Sequence, residues 1–157
     1  MTKYNQGEKV MAKMLLAIFI AGLFINIPEA HSRNSKHLFS IQDAMITADF
    51  QEKLDPNIQL YFGSQTHSEI KTVYGKYTSN KKTNAFNKSD EEACQRALLS
   101  TLLTFQKRAQ NEGGNAVVEI ESYYKKHPFS SETQYECHAG AVIAGTALRG
   151  KVVKLAN

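Results

Sequence analysis

One long helix with clearly marked ends constrains the fold of this 157-residue chain more than any other feature. Ser89 is suited to cap its start, and Glu92, three residues later, completes the pattern of a capping box. Three consecutive acidic residues, 90–92, put negative charge at the positive end of the helix dipole. The helix should stop at Gly113-Gly114, because glycine tolerates the left-handed backbone that ends many helices. We therefore predict a helix over residues 89–112.

The predicted helix is amphipathic, so one of its sides should be buried. Its apolar residues recur at helical spacing and form a single stripe. The stripe consists of Cys94, Ala97, Leu98, Thr101, Leu102, Phe105 and Ala109.

A strand is predicted over residues 115–124, directly after the glycine turn. Ala116, Val118 and Ile120 alternate with Glu119 and Glu121, which indicates one buried and one solvated face. A polar turn with a proline follows over residues 125–131.

A second strand should return after that turn. It places five residues on one face, with Glu136 and His138 on the other. These five are Tyr135, Cys137, Ala139, Ala141 and Ile143. The run 139–148 is apolar on both faces, which is typical of a central strand.

The residues before the long helix predict smaller elements. Residues 40–54 favour one or two short helical turns, and residues 58–62 and 70–78 favour strands. The order of elements predicts an α+β domain: a mostly antiparallel sheet with one long helix packed on one face, plus short N-terminal helical turns.

Residues 1–32 are predicted to be a secretory signal peptide. Lys9 and Lys13 precede the apolar run 14–27, and Ala30-His31-Ser32 offers small residues where a signal peptidase cuts. The alternative is an uncleaved N-terminal anchor, although the run is short for a membrane span. We expect an exported protein, periplasmic or secreted, that begins near Arg33. Residues 33–39 would form a flexible linker and residues 40–157 a single domain.

The chain has only two cysteines, Cys94 and Cys137. In an oxidising compartment they are expected to form a disulfide, with metal ligation and free thiols as the alternatives. From the rise per residue of the helix and of the strands, both cysteines are expected at a similar height above the start of the helix. Both also belong to faces that must pack together.

The turn between the two strands supplies the candidate interaction surface. It combines aromatic and basic side chains, which grip polymers or membrane surfaces through stacking and charge together. The residues are Tyr123, Tyr124, Lys125, Lys126 and Phe129. The alternative interpretation is that these aromatic residues are ordinary strand residues and that the turn beside them is simply solvated.

The sequence predicts no catalytic, cofactor-binding or metal-ligating residue, and no cofactor. Cys137 and His138 should point to opposite faces of a strand, so they cannot easily share one ion. No histidine is tied by pattern to a serine or cysteine nucleophile. The net charge of +4 is spread along the chain, so no nucleic acid partner is expected.

Four runs resemble a family of small secreted bacterial proteins that is often labelled "excinuclease ATPase subunit". They are residues 82–86, 88–94, 122–126 and 135–141, and the resemblance extends over roughly residues 40–155. The label itself conflicts with the sequence. Nucleotide hydrolysis of that type needs a glycine-rich loop ending in Lys-Ser or Lys-Thr, whereas Gly113-Gly114 is followed by Asn115-Ala116. Zinc modules of repair ATPases need closely paired cysteines, which this chain lacks. We therefore expect no ATP binding.

A more distant similarity concerns the core alone. A helix followed by Gly-x-Asn-Ala-Val-Val and a strand is similar to the small α+β domains of the YbjQ and RcsF type. YbjQ-like proteins are described as heavy-metal binders that form rings, and RcsF as an envelope stress sensor acting through protein contacts. The cysteine that anchors RcsF to lipid has no counterpart after the apolar run of this chain.

These observations favour a small binding or protein-interaction domain of the cell envelope, without enzymatic activity. Its partner would be an envelope protein or polymer. After signal cleavage the chain itself would have no membrane span, and both a monomer and an oligomer are compatible with the sequence. The alternatives are a metal-binding protein and an envelope enzyme with an unrecognised site.

Overall fold

A computed structural model describes residues 33–156; the predicted signal peptide, residues 1–32, lies outside the described residues. Within this range, six strands and three helices follow the order β1 (Ser35–Ser40), α1 (Ile41–Met45), α2 (Ala48–Lys53), β2 (Gln59–Phe62), β3 (Ile70–Asn84), α3 (Asp90–Glu112), β4 (Ala116–Ser122), β5 (Gln134–Ala139) and β6 (Ile143–Leu155). The predicted helical turns before residue 54 are present as α1 and α2.

The six strands form one curled sheet with β6 at its centre. Strand β3 pairs antiparallel with β6 on one side. On the other side, β5 pairs with the first part of β6 and β4 with the rest. The sheet continues from β5 to β1 and from β4 to β2, and only the β2–β4 pair is parallel. The predicted class, an α+β domain with a mostly antiparallel sheet and one long helix on one face, is confirmed.

Helix α3 begins and ends as predicted, because both ends are set by residues that act within one turn of the chain. Ser89 Oγ accepts a hydrogen bond from the Glu92 backbone N–H at 3.0 Å. The Glu92 carboxylate pairs with Arg96 at 3.1 Å instead of accepting from the Ser89 N–H, so only half of the predicted capping box forms. Gly113 adopts φ 80°, the left-handed conformation expected at the C-cap. All seven residues of the predicted apolar stripe are buried.

The predicted alternation in β4 is wrong beyond Val118, because a bulge interrupts the strand at Glu119. Glu119 has φ 51°, and the pairing of β4 with β6 shifts register there. Val117 and Ile120 therefore join the core beneath α3, whereas Val118 packs in a second cluster with Ala116 on the other face. Without the bulge, Val118 and Ile120 would share one face.

The predicted continuous strand through residue 148 is two strands joined by a tight hairpin over residues 140–142. Gly140 N–H donates to the Ile143 carbonyl at 2.8 Å. A Cβ at position 140 would lie 2.6 Å from the Arg33 carbonyl oxygen, so a side chain there would displace the chain. Ala141 and Ile143, predicted to share the buried face of Cys137, are instead exposed at the hairpin.

The predicted flexible linker 33–39 is wrong for residues 35–39, which belong to the edge strand β1. This strand pairs antiparallel with β5, and Phe39 packs against the core. Strand β3 likewise extends to Asn84, past its predicted end at residue 78. Both segments are mostly polar, so backbone pairing with a neighbouring strand contributes more to their structure than an apolar pattern does.

Cys94 and Cys137 form the predicted disulfide, with their Cα atoms 5.9 Å apart. Both residues are fully buried. The bond joins the second turn of α3 to β5, so it fixes the helix on the sheet near the β5–β6 hairpin.

Tyr135 lies in the core with a hydroxyl group that has no hydrogen-bond partner among the described residues. Burial, and secondarily the charge of Glu91, raises the pKa of this phenol. Removing an unpaired buried hydroxyl relieves a desolvation cost. We expect Tyr135→Phe to raise the free energy of unfolding by about 1 kcal/mol, measured by urea denaturation. A loss of stability would show that the hydroxyl has a partner, such as a buried water.

Candidate functional site

The sheet has a second face, opposite α3, which we call the open face. Side chains alternate along β5, so Cys137 points into the core and His138 lies on the open face. The segment 123–131 connects β4 to β5 across this face. It is attached there by a hydrogen bond from the Tyr123 backbone N–H to the Ala147 carbonyl at 2.7 Å.

The three predicted aromatic side chains on this segment are already in contact with other parts of the domain. The Tyr124 ring stacks on the His138 ring, with centroids 3.5 Å apart and planes inclined by 16°. The Arg149 guanidinium lies 3.8 Å from the centre of the Tyr123 ring. The Lys36 ammonium lies 5.6 Å from the centre of the Phe129 ring. These rings therefore hold the segment against the sheet.

Lys125 and Lys126, the basic residues predicted with these aromatics, are exposed. They lie in a short turn, Tyr124–Lys126, in which both lysines have left-handed backbone, with φ values of 49° and 67°. Lys125 lines a depression on the open face, whereas Lys126 does not.

This depression, which we call the cationic groove, has a volume of about 710 Å³. It collects side chains from four separate parts of the chain: the entry to β1, strand β3, the turn after β4, and the β5–β6 hairpin. Its lining includes three cationic side chains and no carboxylate. Residues lining the groove include Arg33, Lys82, Tyr124, Lys125, His138 and Ile143.

The positive charge of the groove is only partly neutralised. Arg33 pairs with Asp90 at 2.6 Å and also donates to the Gly140 carbonyl at 3.0 Å. Among residues 33–156, no carboxylate lies within ion-pairing distance of Lys82 or Lys125. The groove is therefore suited to an anionic ligand.

The other end of the open face is electrostatically balanced. Arg149 donates from two nitrogens to Glu121 at 2.9 and 2.7 Å, and Lys76 lies 3.3 Å from the same carboxylate. Burial opposes ionisation of Glu121, but its hydrogen bonds to Arg149 and Lys76 outweigh it and lower the pKa. Lys151 pairs with Glu119 at 2.6 Å. Unpaired positive charge on this face is thus concentrated at the groove.

A hydrogen-bonded triad of Lys36, Glu136 and His138 supports the floor of the groove. His138 Nε2 lies 2.7 Å from Glu136 Oε1, and Lys36 Nζ lies 2.7 Å from Glu136 Oε2. Burial alone would raise the pKa of Glu136, but the hydrogen bonds from Lys36 and His138 lower it. The ionised carboxylate fixes the orientation of the His138 ring and thereby the position of Tyr124 above it.

Two side chains at the groove carry groups that could take part in acid–base or nucleophilic chemistry. His138 Nδ1, the ring nitrogen not used by Glu136, is buried and has no partner among the described residues. Of the lining residues only Thr146 carries an aliphatic hydroxyl, and that hydroxyl is bonded to Thr101 at 2.8 Å. A nucleophile and base would have to lie within hydrogen-bonding reach of each other.

Residues 33–156 contain neither a metal-ligand cluster nor a membrane-spanning helix. No group of three or more His, Cys, Asp and Glu side chains is arranged to hold a metal ion in that range. No helix there is both long enough and apolar enough to cross a membrane.

Sequence reasoning found part of the groove and missed the rest. It pointed to Tyr124 and Lys125, but not to Arg33, Lys82 or the hairpin residues beside them. Lys82 lies past the predicted end of β3 at residue 78. The signal for it is the alternation of side chains along a strand, which puts residues 80 and 82 on the same face. No local signal marks Arg33.

Comparisons with protein-family models, curated proteins and solved structures found no match to this chain.

Proposed function

We propose that this protein is a small non-enzymatic binding domain of the bacterial cell envelope, exported as a periplasmic or secreted protein, whose cationic groove binds anionic groups of an envelope component. The observation that carries the proposal is the groove itself, where Lys82 and Lys125 have no carboxylate partner among the described residues. The buried Cys94–Cys137 disulfide supports export, because structural disulfides persist in oxidising compartments.

The proposal accounts for the rigidity of the site. Stacking of Tyr124 on His138 and the ion pairs of Glu136 hold the floor in place before any ligand arrives. A preformed site loses little conformational entropy on binding, so contacts from Lys82 and Lys125 can give useful affinity although both lysines are exposed to solvent.

Binding of dextran sulfate, compared with neutral dextran, tests this function by isothermal titration calorimetry. We expect the sulfated polymer to bind and the neutral polymer not to bind. Lys82→Glu combined with Lys125→Glu should weaken binding at least about tenfold, since two attractive contacts become repulsive.

The matched control is Lys107→Glu combined with Lys154→Glu, which makes the same change in net charge at exposed positions. Lys154 lies eleven residues along β6 from Ile143, roughly 36 Å at the rise of a strand. The control should retain affinity within about twofold. Equal losses in both double variants would show attraction to net charge alone, and absence of binding by the unmodified protein would contradict the proposal.

A further inference from the structure

Exposed apolar side chains gather at the rim of the cationic groove. The exposed fractions are 60% for Phe86, 59% for Val142 and 53% for Ile143. They account for half of the six large apolar residues exposed among the described residues. Val142 and Ile143 also line the groove, so apolar and cationic surfaces are continuous there.

Two neighbouring loops present these side chains at one edge of the domain. The Ala85 N–H donates to the Val142 carbonyl at 2.7 Å and so joins the loop after β3 to the β5–β6 hairpin. The Asn84 side chain accepts from the Phe86 N–H at 2.8 Å, forming a turn that leaves Phe86 exposed. We call this feature the apolar tip: Phe86, Val142 and Ile143.

We propose that the apolar tip and the cationic groove together dock the domain on an anionic lipid bilayer, with the tip entering the interfacial region and Lys82 and Lys125 contacting lipid phosphates. This inference rests on the proposed function and names its partner. Apolar loop residues beside lysines suit such a surface, because burial of apolar area and attraction to anionic lipid act together.

The aromatic geometry of the groove favours a bilayer over an acidic polysaccharide or a single-stranded nucleic acid. Sugars and bases are gripped by free aromatic faces, but the Tyr124 ring is covered on one face by His138 and has the Lys125 ammonium 5.5 Å from its centre. Of the three side chains that project freely at the tip, Phe86 is aromatic but is not among the residues lining the groove, and Val142 and Ile143 are aliphatic. They offer no hydrogen bonds and are suited to hydrocarbon.

The nearby carboxylates do not cancel this attraction. Asp90, at the start of α3, is shared between Arg33 at 2.6 Å and His37 at 3.0 Å. Glu92 is paired with Arg96 at 3.1 Å. Glu91 is the exposed acidic residue of this turn that lacks an ion pair among residues 33–156, and it is not among the residues lining the groove.

Flotation with vesicles tests the proposal. The vesicles contain either phosphatidylethanolamine with phosphatidylglycerol or phosphatidylethanolamine with phosphatidylcholine. We expect the protein to float with the anionic vesicles, to remain unbound with the neutral ones, and to dissociate as salt is raised, because salt screens the phosphate contacts. Val142→Ser combined with Ile143→Ser should lower the partition coefficient at least about tenfold on anionic vesicles.

Ile46→Ser combined with Val73→Ser is the matched control, since these residues are 66% and 58% exposed but lie outside the tip. It should partition like the unmodified protein, and thermal melting should show both double variants folded. Absence of flotation, equal flotation on neutral vesicles, or equal loss in both double variants would overturn the membrane proposal.

The dextran sulfate titration separates this proposal from the function on which it rests. The tip variant should still bind dextran sulfate, because it keeps Lys82 and Lys125. Sulfate-polymer binding without vesicle binding would overturn the membrane proposal and leave the anion-binding function standing. Failure of both assays would overturn both.

Discussion

Replacing both cysteines, Cys94→Ala with Cys137→Ala, is expected to lower the free energy of unfolding by about 4 kcal/mol. The bond closes a loop with a sequence separation of 43 residues, and its loss returns that loop's conformational freedom to the unfolded chain. Alanine is used because both positions are fully buried, and neither alanine substitution introduces an unpaired hydroxyl into the core. Cys137→Ser should be at least as destabilising for that reason.

Urea denaturation with and without dithiothreitol measures the effect. Reduction should shift the midpoint of the unmodified protein markedly downward and should leave the cysteine-free variant unchanged. Alkylation of the purified exported protein under denaturing, non-reducing conditions is the second measurement. If it detects two free thiols, the bond does not form, and the hypothesis that the cysteines ligate a metal would be restored.

Gln106→Leu is expected to lower the free energy of unfolding by about 3 kcal/mol. Gln106 is only 3% exposed, although it lies on a helix and is polar. Its side chain accepts from the Asp55 N–H at 2.9 Å and donates to the carbonyls of Asp55 and Ile58 at 2.9 and 3.0 Å. Leucine has a similar size but leaves the Asp55 N–H and the Ile58 carbonyl without partners, and leaves the Asp55 carbonyl only its bond from the Ile58 N–H at 3.2 Å.

Gln110→Leu is the matched control for this prediction. Gln110 lies one turn further along α3, and it donates to the Asp55 carboxylate at 2.8 Å in solvent. Losing that exposed bond should cost about 0.5 kcal/mol or less. Equal destabilisation by both variants would show that the loss comes from the helix surface and not from the buried connection to the turn.

The contrast between the two ends of α3 and Gln106 in its middle shows where sequence reasoning succeeds in this fold. The ends of α3 depend on Ser89, Glu92 and Gly113, which act within one turn of the chain, so their effect can be predicted locally. Gln106 bonds to residues about fifty positions away, and a polar residue beside an apolar stripe carries no sign of that partner. The disulfide was predictable because only one pairing of two cysteines exists.

The bulge at Glu119 shows a different limit. A non-glycine residue with positive φ breaks the period of two on which strand prediction depends. The strand pairs with β6 on both sides of this residue, and its carboxylate contacts Lys151 at 2.6 Å. These are long-range interactions, so the sequence near Glu119 gives no warning that Val118 and Ile120 lie on opposite faces.

The groove was only half predictable for a topological reason. Tyr124 and Lys125 are neighbours in a turn and could be recognised together. Arg33 and Lys82 reach the same place only because β1 pairs with β5 and β3 pairs with the opposite side of β6. Strand order in a sheet depends on pairing between distant segments, which one sequence does not specify residue by residue.

Amide chemical-shift mapping is the most direct test of the central claim that the cationic groove binds anions. A ¹⁵N-labelled sample of the oxidised protein would be titrated with short dextran sulfate and, separately, with neutral dextran. The account predicts shifts at Lys82, Lys125, His138 and Gly145, all of which line the groove, with none of comparable size at Lys107 or Lys154. Shifts centred on the C-terminal half of α3, shifts spread evenly over every exposed lysine, or no shifts with the sulfated polymer would contradict it.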